Sequence, residues 1–296
     1  MRKADLVLAG MLLALGGRAV HAQAGEQRID RRMAVDPDVS LRIHNLAGSV
    51  RIEAWNRDSL AITGTVSGGS STRFYIGGTR RAAKMGVEGP LELDQPPAHL
   101  YIRVPARARV WVKSATANIS LSGLMGGVDA FSTSGNIRFQ GEPDQLNAET
   151  MDGNIEITAG GTWIRARTAS GTITIRGPGE DVGATTVSGS INLLASGVRR
   201  ARMESVTGDL GFSGWLARDG SLTVENHSGT VDILLPSDIV ADFELSSYHG
   251  GIRNEFRPYT GRPGQSGAEQ VFSTAEGGGA DVTVRTFKGN IVLRRK

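Results

Sequence analysis

The chain has 296 residues, with 40 glycines, 10 prolines and no cysteine. Glycine stands at roughly twice its usual ~7%. No Gly-X-Y period runs through the chain, and hydrophobic residues make up 39% in regular patterns, which excludes a collagen and a disordered tail. The absent cysteines exclude disulfides, thiol catalysis, thiolate metal sites and an N-terminal lipid-modified cysteine.

Residues 1–24 read as a secretory signal peptide. Arg2 and Lys3 form the basic start, residues 6–15 the apolar run, and Ala22-Gln23-Ala24 the small-x-small cleavage site, with Val20-His21-Ala22 as an equivalent site two residues earlier. The apolar run is well short of the ~20 residues that a transmembrane helix needs. The formal net charge is +3, of which Arg2, Lys3 and Arg18 against Asp5 account for +2, so residues 25–296 keep only +1. The mature chain is therefore expected to be exported, near-neutral, free of transmembrane helices and not a binder of nucleic acid. The remainder reads as a single elongated β-repeat domain, residues 25–296.

After this leader the chain repeats itself. NLAGSVRI around Gly48 is followed by a 69-residue interval holding Trp55, LAITGTV (60–66), an irregular insertion over 64–99 and LYIRV (100–104). SATANISL then places Ala117 at the glycine position, and Gly135, Gly153, Gly171 and Gly189 follow at intervals of 18. Gly208, Gly229 and Gly250 follow at 19, 21 and 21. Residues 257–280, rich in glycine, proline and polar groups, read as a long loop before a last unit at Gly289. Ten units share one template.

Within the template, apolar residues stand seven and five before the glycine (Val128, Ala130) and two and four after it (Ile137, Phe139), with polar residues between. This period-2 alternation on both sides of a turn predicts two short strands per unit, each with one buried face. Three before the glycine stands a small polar side chain in every unit, as in Ser132, Thr150 and Thr168. Stacked, these groups can cap the turn or bond their neighbours. The glycine itself suits a backbone of positive φ. Residue size is matched within columns, with four consecutive alanines at one site and four isoleucines at another. In-register stacking explains such matching. The fold expected is all-β, a parallel β-solenoid (β-helix) of about ten 18–21-residue coils, each stacked on the last. An antiparallel β-meander or sandwich is the alternative.

The T-x-S-G-N-I-x-I units, the early N-x-x-G-x-V-x-I-x-x-W over residues 45–55, and the strand breaks at Pro105 and Pro236 resemble the bacterial envelope proteins called putative adhesins, a family of uncharacterised function similar to the heads of autotransporter adhesins. The resemblance implies a β-repeat fold and a binding role over residues 35–296, and no catalytic residue.

Candidate chemistry lies on outward positions. Trp111 and Phe131 fall on adjacent units and could stack on sugar rings, unless the irregular N-terminal segment covers them. Asp129, Glu149, Asp152, Arg165 and Arg167 could serve a polysaccharide-active enzyme on a β-helix. Stacking also sets Glu149 beside Arg167 and Arg138 beside Glu156, the pattern of ordinary cross-strand charge pairs. His227 and His249 sit in neighbouring units but at positions differing by one, so the reading for them is surface turn histidines and not a metal site. No nucleophile elbow, nucleotide fingerprint or calcium nonapeptide occurs. The reading is a non-enzymatic exported protein, without cofactor or metal, presenting Trp111, Phe131, Glu149, Arg165 and Arg167 to an envelope glycan or protein. A structural or regulatory envelope component is the remaining alternative.

Overall fold

The computed structural model describes residues 25–68, 72–89, 97–256, 268–276 and 278–296. The expected signal peptide lies outside them. The described residues are all-β, and no helix among them is long and apolar enough to cross a membrane. Chain order gives β1 (Gln27–Ala34), β2 (Ser40–His44), β3 (Gly48–Trp55), β4 (Ser59–Val66), β5 (Arg73–Gly78), β6 (Ala82–Glu88), β7 (Ala98–Pro105), β8 (Arg109–Lys113) and β9 (Asn118–Ser122). The regular units follow as β10 (Val128–Phe131), β11 (Ile137–Gly141), β12 (Gln145–Glu149), β13 (Ile155–Ala159), β14 (Gly161–Arg167), β15 (Ile173–Gly177), β16 (Gly179–Thr185), β17 (Ile191–Ser205) and β18 (Leu210–Asn226). The chain closes with β19 (Val231–Leu235), β20 (Ala241–Ser247), β21 (Ile252–Asn254), β22 (Ala268–Ser273), β23 (Ala280–Thr286) and β24 (Ile291–Arg295).

These strands form one sheet of mixed pairing. Neighbouring repeat units pair in parallel and in register: Val128 faces Leu146, Ala130 faces Ala148, Ile137 faces Ile155 and Phe139 faces Ile157. Antiparallel pairing is confined to the two ends, where β5 lies on β6, β4 on β7, β1 on β4, and β22 on β20. Such strands pair backbone groups that would otherwise stand open at the sheet edge. The inward columns of both strands meet in one core: Val128, Ala130, Ile137, Phe139 and their counterparts in other units are all buried in one contiguous cluster.

The order of units in space departs from their order in the chain. β2 does not stand at the end; it lies between β6 and β8, and β3 lies between β7 and β9. The first unit is thus second in the stack, and the 69-residue interval between Gly48 and Ala117 supplies the outer unit, with β6 inside the expected irregular insertion and β7 largely the LYIRV segment after it. The other end mirrors this. The final pair, β23 and β24, inserts between β18–β19 on one side and β20–β21 on the other. The expectation that each unit stacks on its predecessor therefore fails at both ends. The expected loop over 257–280 is also corrected, because β22 falls inside it; residues 257–267 lie outside the described residues.

The turns explain two of the sequence columns. Thr168 Oγ1 accepts from the Gly171 N–H at 3.1 Å and donates to the Met151 carbonyl at 3.1 Å, so it caps its own turn and ties it to the previous unit. One residue past the glycine, asparagines form a second ladder: the Asn154 N–H donates to Asn136 Oδ1, and the Thr172 N–H to Asn154 Oδ1. The glycine has a different cause from the one expected. Positive φ occurs at Gly48 and Gly229 but not at Gly135, Gly153, Gly171, Gly189 or Gly208. At those five, close approach decides: a Cβ on Gly208 would lie 1.7 Å from the Gly189 carbonyl oxygen. Replacing Thr168 by Val should lower stability by ~1–3 kcal/mol, because the Gly171 N–H loses its partner. Thr168→Ser should stay near wild type, and urea titration of both variants checks this.

Candidate ligand-binding surface

The outward side of β6, β2, β8, β10, β12 and β14 carries the sequence-predicted residues. Since side chains alternate along a strand, each unit offers two positions here, six and four before its glycine. In spatial order the first row reads Lys84, Arg42, Trp111, Asp129, Asn147, Arg165. The second places Lys113, Phe131, Glu149 and Arg167 side by side, with His44 before Lys113.

Trp111 and Phe131 come together as expected, with ring centroids 6.1 Å apart and half-buried. The N-terminal unit does not cover them. It flanks them, setting His44 against Trp111 at 5.0 Å. Burial, then the charges of Lys84, Lys113 and Arg42, hold the His44 imidazole below its ordinary pKa, so it is neutral at pH 7. Its Nδ1 is buried without a hydrogen-bond partner, and so is Asn147 Oδ1 on the same face. A groove of about 880 Å³ runs beside these rings, lined by Arg42, His44, Lys84, Arg109, Trp111 and Asp129 among others.

The charged residues divide. Arg165 is committed to its own sheet: it pairs with Asp181 at 2.7 Å and lies over the Trp163 ring at 4.4 Å. Glu149 and Arg167 stand in register but form no ion pair with each other, against the expected charge pairing. Arg138 and Glu156 do pair, at 2.9 Å, and Arg176 joins the same carboxylate at 3.1 Å. Asp152 sits apart on a turn and accepts from Ser170 Oγ at 3.0 Å. The carboxylates named as enzyme candidates thus occupy a sheet face and a turn edge.

His227 and His249 both touch one ring that sequence order hides. Phe287 inserts between His227 and Tyr248, stacking on each at 5.1 Å, and His249 meets its edge at 5.2 Å. All three of His227, Phe287 and Tyr248 stand two before a unit glycine. Leu46, Met151, Val187 and Val206 occupy the same position in other units and are exposed too, which makes an apolar ridge along the turns. Among the described residues no three His, Cys, Asp or Glu side chains gather in a way that could hold a metal ion.

Solved structures share this architecture. A putative adhesin from Parabacteroides merdae ATCC 43184 superposes with a TM-score of 0.56 at 13% identity, covering 90% of this chain and 96% of that one. A putative adhesin from Parabacteroides distasonis ATCC 8503 gives 0.50 at 12% identity, covering 90% and 97%. This chain has the adhesin structures' fold. At such identities the likeness concerns the fold alone. No family model and no curated protein matches the chain.

Sequence reasoning missed Lys84, Arg42 and His44 as neighbours of Trp111. Arg42 and His44 occupy the same template positions as Trp111 and Lys113, so the column carried a signal. Lys84 has no unit glycine after it and carried none.

Proposed function

We propose that the chain is a non-enzymatic protein of the cell envelope, exported by its first 24 residues, whose residues 25–296 form a single parallel β-solenoid that binds a glycan on the outward face holding Trp111, Phe131, Glu149, Arg165 and Arg167. The in-register parallel pairing of successive units supports the solenoid. The observation that carries the binding reading is half-buried Trp111, paired with Phe131 and lining an 880 Å³ groove. Amphipathic rings held part-way out of the core suit the apolar face and polar rim of a sugar. The names of the similar structures agree with adhesion and with a non-catalytic role. A protein partner is the second reading, favoured by the exposed ridge through Met151, Val187, Val206 and Phe287.

The test is a glycan array run beside an envelope pull-down, using residues 25–296 and a Trp111→Ala variant. Array binding that falls at least ~tenfold in the variant is expected, the scale of a ~1.4 kcal/mol loss. Pull-down of a protein unaffected by Trp111→Ala, with an empty array, would shift the reading to the ridge. Bond cleavage lost in Glu149→Ala or Asp152→Ala would replace it with an enzyme.

A further inference from the structure

We infer that the ligand of this groove is an acidic glycan, its anionic groups held by Arg42, Lys84 and Arg109 of the lining and by Lys113 next to His44 at its rim, while its sugar rings lie on Trp111. The inference rests on the ligand-surface reading above and adds the charge of the ligand.

These four cations come from three strands that are distant in sequence, β6, β2 and β8, and meet only through the out-of-order insertion of the first unit. Arg42 faces Lys84 on one side and Trp111 on the other in strict register, so two cations and a ring stand in line at successive strand spacings of ~4.8 Å. None of the four forms an ion pair among the described residues. Further along the same face most cations are paired, Arg165 with Asp181 at 2.7 Å, Arg200 with Asp181 at 3.3 Å and Arg202 with Glu225 at 3.5 Å, whereas Arg167 in its row forms no ion pair among the described residues. Like charges left together repel one another, and the His44 pKa, lowered first by burial, is lowered further by Lys84, Lys113 and Arg42. A bound anion removes the repulsion. The carboxylates in the groove, Asp129 and Asp144, lie on the far side of Trp111 from Lys84 and Arg42, where they can accept from sugar hydroxyls. The groove therefore has a cationic end for the acid group, a ring for the sugar face and acceptors beyond it. Charge-assisted hydrogen bonds are about twice as strong as neutral ones, which favours an acidic polymer over a neutral one.

The experiment measures retention of residues 25–296 by affinity electrophoresis in polygalacturonate, alginate, heparin and dextran, and co-sedimentation with phosphatidylglycerol vesicles. Strong retention by polygalacturonate or alginate, none by dextran, and a loss of about tenfold or more in Arg42→Ala/Lys84→Ala is the expected result. Heparin binding at the same residues would also support the inference, with sulfate as an anionic group. Arg199→Ala, outside the groove, should bind as wild type, and circular dichroism should show all variants folded. Equal retention by dextran would overturn the charge assignment and leave the surface reading standing. Polygalacturonate binding that survives both Trp111→Ala and Arg42→Ala/Lys84→Ala would overturn the surface reading itself. Vesicle binding without polysaccharide binding would also overturn the inference.

Discussion

Deleting residues 280–296 should unfold the protein, although the cut removes only the last two strands of the chain. Those strands, β23 and β24, are interior in space: Val282 and Val284 sit between β18 and β20, and Ile291 and Leu293 between β19 and β21. Each is 0–1% exposed. Fully burying an aliphatic side chain contributes ~1.5–3 kcal/mol, so these four supply about 6–12 kcal/mol, a large share of the ~5–15 kcal/mol typical of a domain. In a stacked repeat the loss of an end unit removes one interface, whereas loss of an interior unit removes two and strands the unit beyond. β20–β22 would then have no neighbour. The matching control is removal of residues 25–34, an edge strand on which Ile29 alone is buried. Thermal melts by circular dichroism should show no cooperative transition for the first deletion and a midpoint near wild type for the second. A midpoint within a few degrees of wild type for both would contradict the stacking order.

Ile155→Asp should be severely destabilising and Glu156→Gln nearly silent. Ile155 is 1% exposed, with Ile137 on one side and Ile173 on the other. An aspartate there is a desolvated charge among aliphatic side chains, with no cation facing inward, and losses above ~4 kcal/mol follow from such placements. Glu156, one residue on, points to solvent and bridges Arg138 and Arg176. Its side chain is 42% exposed, so screening holds each pair to ~0–1 kcal/mol. Denaturant unfolding should separate the two variants by several kcal/mol. Comparable midpoints would mean that the two side chains do not face opposite ways.

The turn column tells how far a local pattern reaches. Ser132, Thr150 and Thr168 were legible as turn caps because a hydroxyl three residues before a glycine is satisfied locally or by a neighbouring unit, and both bonds form, the second to the preceding unit. The adjoining glycines were legible as a geometric demand but with the wrong cause. A positive φ is a property of one residue, whereas the carbonyl that excludes a Cβ at Gly208 belongs to Gly189 in another unit. Only the stacked structure brings the two together.

Within the regular units the sequence by itself determined which residues form strands, which way each side chain faces, and which positions align, because alternation and matched side-chain size act residue by residue. It placed Trp111 and Phe131 on one face for the same reason. The order of the units was decided by the tertiary structure. Val50, Leu100 and Ile119 satisfy one and the same core column, so burial is indifferent to which of them lies outermost. Between units spaced 18 residues apart, the few residues from Phe139 to Leu146 reach only the adjacent level. Where the repeat is interrupted, between Gly48 and Ala117 and between Gly250 and Gly289, the connection is long enough to pass over a level and return beneath it. Both departures from sequential stacking occur there. The cationic end of the groove and the insertion of Phe287 between His227 and Tyr248 both arise from those departures, which is why no reading of the chain in order could assemble them.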